Sequence, residues 1–282
     1  MGRPNSSSPT RLVANDATSN YQSLQLQFNR RLRRGLQASV AYTWSKTIDD
    51  AAQDSGARTL LQSTDPRGER GPSDFDVRHT LSGLVSYKLP KLHIAGVSSS
   101  LLRNWTLDAI FNARSARPVG VVYAVPTSYG FAYLRHDSVA GAPLYLFEPN
   151  TAGGRRLNPA AFIVPDMERQ GTLGRNSLRG FPFTQVDFAL GREFKLTEGL
   201  HLQLKAEAFD LFNQDNFADP TGTDTSLGSR LSATGAFVAN GTFGQSASVY
   251  GRSLADNAGG SFGSFYGFGG PRTLRLSLRL RF

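Results

Sequence analysis

Residues Arg272 to Phe282 read R-T-L-R-L-S-L-R-L-R-F. Leu274, Leu276, Leu278, Leu280 and Phe282 fall on one face of an extended strand. Thr273, Arg275, Ser277, Arg279 and Arg281 fall on the other, because side chains alternate along a strand. A helical period of about 3.6 residues would scatter the leucines around the axis. One face is therefore wholly apolar and the other strongly cationic. Two environments accept such a strand. One is a half-buried soluble sheet. The other is a transmembrane β-barrel, with lipid outside and a polar lumen inside, which uses roughly 9–11 residues per strand. The run ends on the aromatic Phe282, and this sets the barrel as the expectation.

Composition agrees with strands and loops rather than one large core. Apolar residues make up 39% of 282, with 29 Gly and 19 Phe, a mixture that suits many short strands joined by long polar loops. No run of about eighteen apolar residues exists, so no transmembrane helix is predicted. Met1 to Pro9 lacks the apolar stretch of a secretory signal. An exported barrel needs one, so the natural N-terminus is expected upstream. The net charge of +9 raises nucleic acid or an anionic surface as partners. The Lys and Arg residues recur singly within alternating strands and beside Asp or Glu, so no nucleic-acid partner is expected. With no cysteine in the chain, disulfides and thiolate metal sites are excluded.

Along the chain, residues 1–20 read as an irregular N-terminal segment and residues 21–282 as a succession of seven strands. Strand 21–32 carries Leu24, Leu26 and Phe28 against Ser23, Gln25 and Gln27. A tight turn at Arg33-Arg34-Gly35, with Gly free to take positive φ, leads into strand 36–45, where Leu36, Ala38, Val40, Tyr42 and Trp44 alternate with Gln37, Ser39, Ala41, Thr43 and Ser45. Strand 77–89 has Leu81, Val85, Tyr87 and Leu89 on one face, interrupted by His79 and Gly83, with Leu84 breaking the polar face. Strand 104–114 places Trp105, Leu107, Ala109, Phe111 and Ala113 together. Strands 184–195 and 200–212 form the next hairpin around Thr197-Glu198-Gly199, and a change of parity near Phe209 predicts a bulge or departure from the sheet. Strand 272–282 is last. Between them lies a Pro-rich segment, 115–182, with short apolar pieces at Val119–Tyr123 and Leu144–Phe147. A Gly/Ser/Asn-rich segment, 213–271, ends in the low-complexity run Gly259–Gly270.

The connections alternate between short and long, and loops on the order of sixty residues are uncommon in a compact soluble domain. Outer-membrane barrels have this rhythm, with short periplasmic turns and long extracellular loops. The predicted fold is all-β: an antiparallel transmembrane β-barrel portion of about seven strands. Tyr42, Trp44, Tyr87, Trp105 and Phe194 are candidates for the aromatic girdles at the membrane interfaces, with Phe282 as the terminal-strand aromatic. The inward row would carry Asp187, Glu193, Lys205, Glu207, Arg275, Arg279 and Arg281 across three neighbouring strands. Opposite charges there stabilise by about 0.2–1 kcal/mol per pair. Single-chain bacterial barrels have even strand numbers, so seven strands imply the C-terminal part of a larger barrel. The alternative is a soluble or surface-attached β-sandwich binding module with its ligand site in the long loops, where Leu202, Leu204, Leu276 and Leu278 would be core.

Several blocks resemble a known family. They are NYQSLQLQFNRRLRRGLQASVAYTWSKTIDD (Asn20–Asp50), DPRGERGPSDFDVRHTLSGLVSYKLP (Asp65–Pro90), NWTLDAIFNARSARPV (Asn104–Val119), GRNSLRGFPFTQVDFALGREF (Gly174–Phe194), LQLKAEAFDLFNQDNF (Leu202–Phe217) and PRTLRLSLRLRF (Pro271–Phe282). Together, and in this order, they are similar to the C-terminal barrel of Oar-like TonB-dependent receptors of acidobacterial type. The resemblance implies a barrel of about 22 strands, plugged by an N-terminal domain and energised through TonB. It also implies uptake of a substrate across the outer membrane, with no catalysis and no cofactor. The implied partners are outer-membrane lipid, the barrel-assembly machinery through the terminal strand, and TonB and the plug through an N-terminal part that this sequence lacks.

Chemistry is sparse elsewhere. His79, His93, His136 and His201 have no partner at metal-ligand spacing. Asp49, Asp50, Asp74 and Asp76 could offer oxygen to Ca²⁺ but lack the spacing of a calcium loop, and ion pairs with Arg67, Arg70 and Arg78 are expected instead. Gly174–Gly180 is Gly-bounded and basic, without the G-K-[ST] of a phosphate loop. No catalytic constellation is predicted.

Overall fold

Two-residue alternation dictates seven long strands, and a computed structural model shows them as one antiparallel meander. The structure describes residues 17–50, 66–90, 103–127, 130–165, 169–220, 228–230, 237–246, 249 and 270–282. The strands are β1 (Ser19–Arg33), β2 (Leu36–Asp49), β3 (His79–Lys88), β4 (Trp105–Arg114), β5 (Phe183–Lys195), β6 (His201–Phe209) and β7 (Thr273–Arg281). Each pairs antiparallel with its neighbours in sequence, and a two-residue strand at Gly71–Pro72 adds to the far end of β2. The sheet is open: β1 and β7 are its edges and run in the same direction.

Local geometry explains the first hairpin. Arg34 and Gly35 both take positive φ, 52° and 82°, the two-residue primed turn whose twist matches that of paired strands. A Cβ on Gly35 would lie 2.4 Å from the Lys88 carbonyl oxygen on β3, so the close approach of the third strand also requires glycine. The strand ends joined through 34–35, 89–104 and 196–200 lie at one end of the sheet, and those joined through 50–78, 115–182 and 210–272 at the other.

Register places each apolar row as the alternation predicts. Leu36, Tyr87, Leu107, Leu190, Ala206 and Leu276 form one row running across six strands. Gly83, which interrupts the apolar face of β3, is covered by its cross-strand partner Phe111, whose ring would stand 2.3 Å from an added Cβ. Among the described residues no second sheet packs on this face. Leu26 is 56% exposed and Leu276 84%. The sandwich alternative, which makes Leu202, Leu204, Leu276 and Leu278 core, does not hold.

The buried core lies at the long-loop end instead. Val119, Val121, Leu157, Ala161, Phe162, Leu173, Leu178 and Phe243 pack into one cluster. Short pairings frame it, Pro118–Val119 with Leu178–Arg179 and Tyr145–Phe147 with Arg155–Leu157. This is more structure than small strands in a long loop would provide: the segment is a folded cap.

Several element ends differ from the sequence reading. The second strand runs to Asp49 rather than residue 45, because its polar end pairs with Ser19–Ser23 and Gly71–Pro72. The third spans His79–Lys88 rather than 77–89. The sixth stops at Phe209, not 212, since Asp210 and Asn213 adopt φ of 49° and 51° and turn the chain out of the sheet. His93, residues 51–65 and most of Gly259–Gly270 lie outside the described residues.

Candidate functional site: the capped long-loop end and the charged inner wall

Three arginines pin the cap to the strand ends. Asp76 is fully buried. It accepts the Thr47 amide at 2.8 Å, Arg78 Nε at 2.8 Å and Arg179 Nη2 at 2.5 Å, while Arg179 Nη1 donates to the Asp76 carbonyl at 2.8 Å. Burial alone would raise the Asp76 carboxyl, but Arg179, the Thr47 amide and Arg78 together hold it below the ordinary carboxylate value. Arg175 Nη1 donates to Asp49 Oδ1 at 2.6 Å and to the Asp49 carbonyl at 3.0 Å. Asn176 Nδ2 donates to the Pro72 carbonyl at 2.9 Å and to Asp74 Oδ1 at 2.5 Å. Arg135, in the cap, pairs with buried Glu69.

The expected partners of the acidic cluster are thus only partly right. Arg78 does bind Asp76, and Arg70 reaches Thr18 rather than a carboxylate. The decisive cations come from Gly174–Gly180, the Gly-bounded basic segment whose role sequence spacing alone did not reveal. Its two arginines alternate around Asn176 so that all three polar heads reach the 69–78 segment. Among the described residues, no cluster of three His, Asp or Glu side chains is placed to hold a metal.

Inside the cap, His136 is fully buried between the rings of Tyr123, 5.3 Å away, and Phe162, 6.5 Å away, both edge-on. Burial lowers its pKa to about 4, against the raising influence of the Val121 backbone and the Asp137 charge. It is a neutral packing residue at ordinary pH. Asp137 binds Arg169 through both carboxylate oxygens, at 2.9 and 2.6 Å, and its pKa is held low by that guanidinium.

The polar face of the sheet carries the seven inward candidates, all on the parity expected. Glu207 is the centre of the group, holding Lys205 at 2.9 Å on its own strand and Arg275 across β7. Glu193 binds His201 Nδ1 at 2.8 Å, a pairing not foreseen. Asp187 joins no ion pair among the described residues; it accepts Gln185 Nε2 at 2.8 Å and the Asp210 amide at 2.9 Å. Arg279 stands opposite Gln203 and Arg281 opposite His201, at the short-turn end.

The aromatic candidates separate into two bands. Tyr42 and Trp44 lie near the long-loop end. His79 shares their level, with Nδ1 2.8 Å from the Tyr42 hydroxyl, which accounts for a polar residue on the apolar face. Tyr87, Trp105 and Phe194 lie at the short-turn end, where Phe282 also ends the chain. From Leu36, level with Tyr87, to Trp44, β2 covers about 27 Å, or ~20 Å along the normal at the usual tilt of ~40°. Barrels present an outer apolar band about 25 Å tall between aromatic girdles. The separation of the two bands is of that order.

A sheet with an uncovered apolar face between two aromatic bands, a polar and charged opposite face and all long loops at one end has the anatomy of a membrane barrel wall. A family model for the outer membrane beta barrel domain matches residues 2–254. No curated protein and no solved structure matches the chain. The family match extends over most of the sequence and takes in β1 to β6 of the two-faced meander. The chain belongs to the outer membrane β-barrel domain family, and its place is the outer membrane.

Proposed function

We propose that this barrel portion is the C-terminal wall and extracellular cap of an Oar-like TonB-dependent receptor, which takes up a substrate across the outer membrane without catalysing a reaction. The observation that carries the reading is the preformed cap, clamped by buried Arg–Asp pairs to the strand ends above an inner wall lined with charge. A receptor needs such a capture surface above a polar lumen, whereas a bare pore does not. The blocks shared with the family favour the same reading. So do the edges: β1 and β7 run in the same direction, so an all-antiparallel barrel needs an odd number of further strands between them, as a barrel of about 22 strands provides. Lipid would contact the apolar face, and the barrel-assembly machinery would engage β7. TonB and the plug would act through a segment outside this chain.

Peptide mapping of the native polypeptide from an outer-membrane fraction, paired with planar-bilayer conductance, tests the proposal. The expected result is a longer polypeptide with a plug-like upstream domain and little steady conductance. A plug-free native barrel with a large, steady open-pore conductance would overturn it.

A further inference from the structure

The outward face of the sheet holds a groove that the uptake reading does not use. It is an open apolar depression of about 560 Å³, floored by Leu190 and Leu204 and walled by Leu276 and Leu278. At its short-turn end stands Arg192, on the same outward parity as Val186, Phe188, Leu190 and Phe194. Its guanidinium lies 4.2 Å from the Phe194 ring centre and 5.2 Å from that of Trp105. A cation on a lipid-facing strand is costly at mid-membrane and tolerated at the interface. Arg192 sits in the aromatic band, at headgroup depth.

Charge on this face has one sign. The register puts Arg30, Arg33, Lys46 and Arg192 on the outward rows of the seven strands, and no Asp or Glu with them. The nearby acids Glu193 and Glu207 are on the opposite face, occupied by His201 and by Lys205 with Arg275. An apolar groove of acyl-chain dimensions with a ring-held guanidinium at headgroup level matches one ligand chemistry, a phosphodiester carrying two hydrocarbon tails.

We infer that this groove binds one anionic glycerophospholipid of the periplasmic leaflet, its acyl chain between Leu190 and Leu276 and its phosphate at Arg192. The inference rests on membership of the outer-membrane barrel family and is independent of the TonB reading.

Replacing every other tryptophan of the full-length polypeptide by Phe, Trp44 among them, leaves Trp105 as the only reporter, inside the groove. The native full-length polypeptide, refolded into phosphatidylcholine vesicles doped with dibrominated phosphatidylglycerol, gives the relative affinity at that site from Trp105 quenching. A preference of about fivefold for the anionic lipid is expected, the ratio one basic side chain provides at an anionic surface. Arg192→Gln should bring the ratio to about one, and Arg192→Lys should retain most of it. A ratio near one with Arg192 in place overturns the inference whether or not the variants fold, as does a preference that survives Arg192→Gln.

Discussion

Replacing Asp76 by Asn should release the cap while leaving the barrel intact. The carboxylate is fully buried and accepts three donors, two of them guanidinium groups at 2.8 and 2.5 Å. An amide of the same shape keeps one acceptor oxygen but turns an NH₂ toward a second donor, so at least one charge-assisted bond is lost and a half-buried cation loses its counter-charge. Breaking such a buried pair costs about 3–5 kcal/mol. Arg179 keeps its bonds to the Asp76 and Ala116 carbonyls, at 2.8 and 3.4 Å, which favours the lower bound. A loss of about 3 kcal/mol raises the population of opened cap roughly a hundredfold. Trypsin cleavage after Arg155 and Arg156 in outer-membrane vesicles reports that population when closing outpaces cutting. Cleavage should accelerate about a hundredfold, with the heat-modifiable gel shift of the barrel unchanged. A rate within threefold of the parent would refute the idea that the Arg179–Asp76 clamp holds the cap down.

Acidification should loosen the same unit through His136. Its folded pKa of about 4 lies below the ordinary 6.5, so the unfolded cap takes the proton first. Cap stability is then complete above about pH 6.5, declines by about 3 kcal/mol as pH falls toward 4, and levels off below. Hydrogen exchange of cap amides reads this, and His136→Phe should flatten the profile; an unchanged slope would refute the assignment. Gly35→Ala should cost about 2 kcal/mol or more, since it combines a left-handed φ of 82° with a clash at Lys88; a parent-like urea midpoint would count against the turn geometry. Val186→Arg, on the outward face midway between the aromatic bands, should cost about 2–4 kcal/mol. Ile110→Arg, beside Asp187 on the inner wall, should be nearly neutral. The reverse order in urea unfolding from lipid would mean that the two faces are exchanged.

How much of this was legible in the sequence follows the range of the forces involved. Strands β1 to β7 could be read because each carries its pattern locally: Leu274 to Leu280 need no distant residue to reveal their shared face. The inward charges were readable for the same reason, parity being fixed by backbone pleat. Which of them meet is a matter of register, so Lys205, Glu207 and Arg275 came together while Asp187 bonded to Gln185 and the Asp210 amide instead. The cap was hidden. Arg175 reaches Asp49 across 126 residues and Arg179 reaches Asp76 across 103, and no period in Gly174–Gly180 announces a partner so far away. The Pro-rich segment 115–182 shows no strong alternation, because its core residues arrive singly from short pairings.

The cap's construction also decides how the cell surface is recognised. Phe243 joins the core from the last long loop, Leu157 and Leu178 from the middle one, and Asp49 and Asp76 tie in the first. An antibody or bacteriophage that grips this surface therefore meets a discontinuous epitope assembled from three stretches of chain. Peptides copied from any single loop should compete poorly for such a binder, and boiling the protein should abolish its recognition while leaving every loop sequence intact.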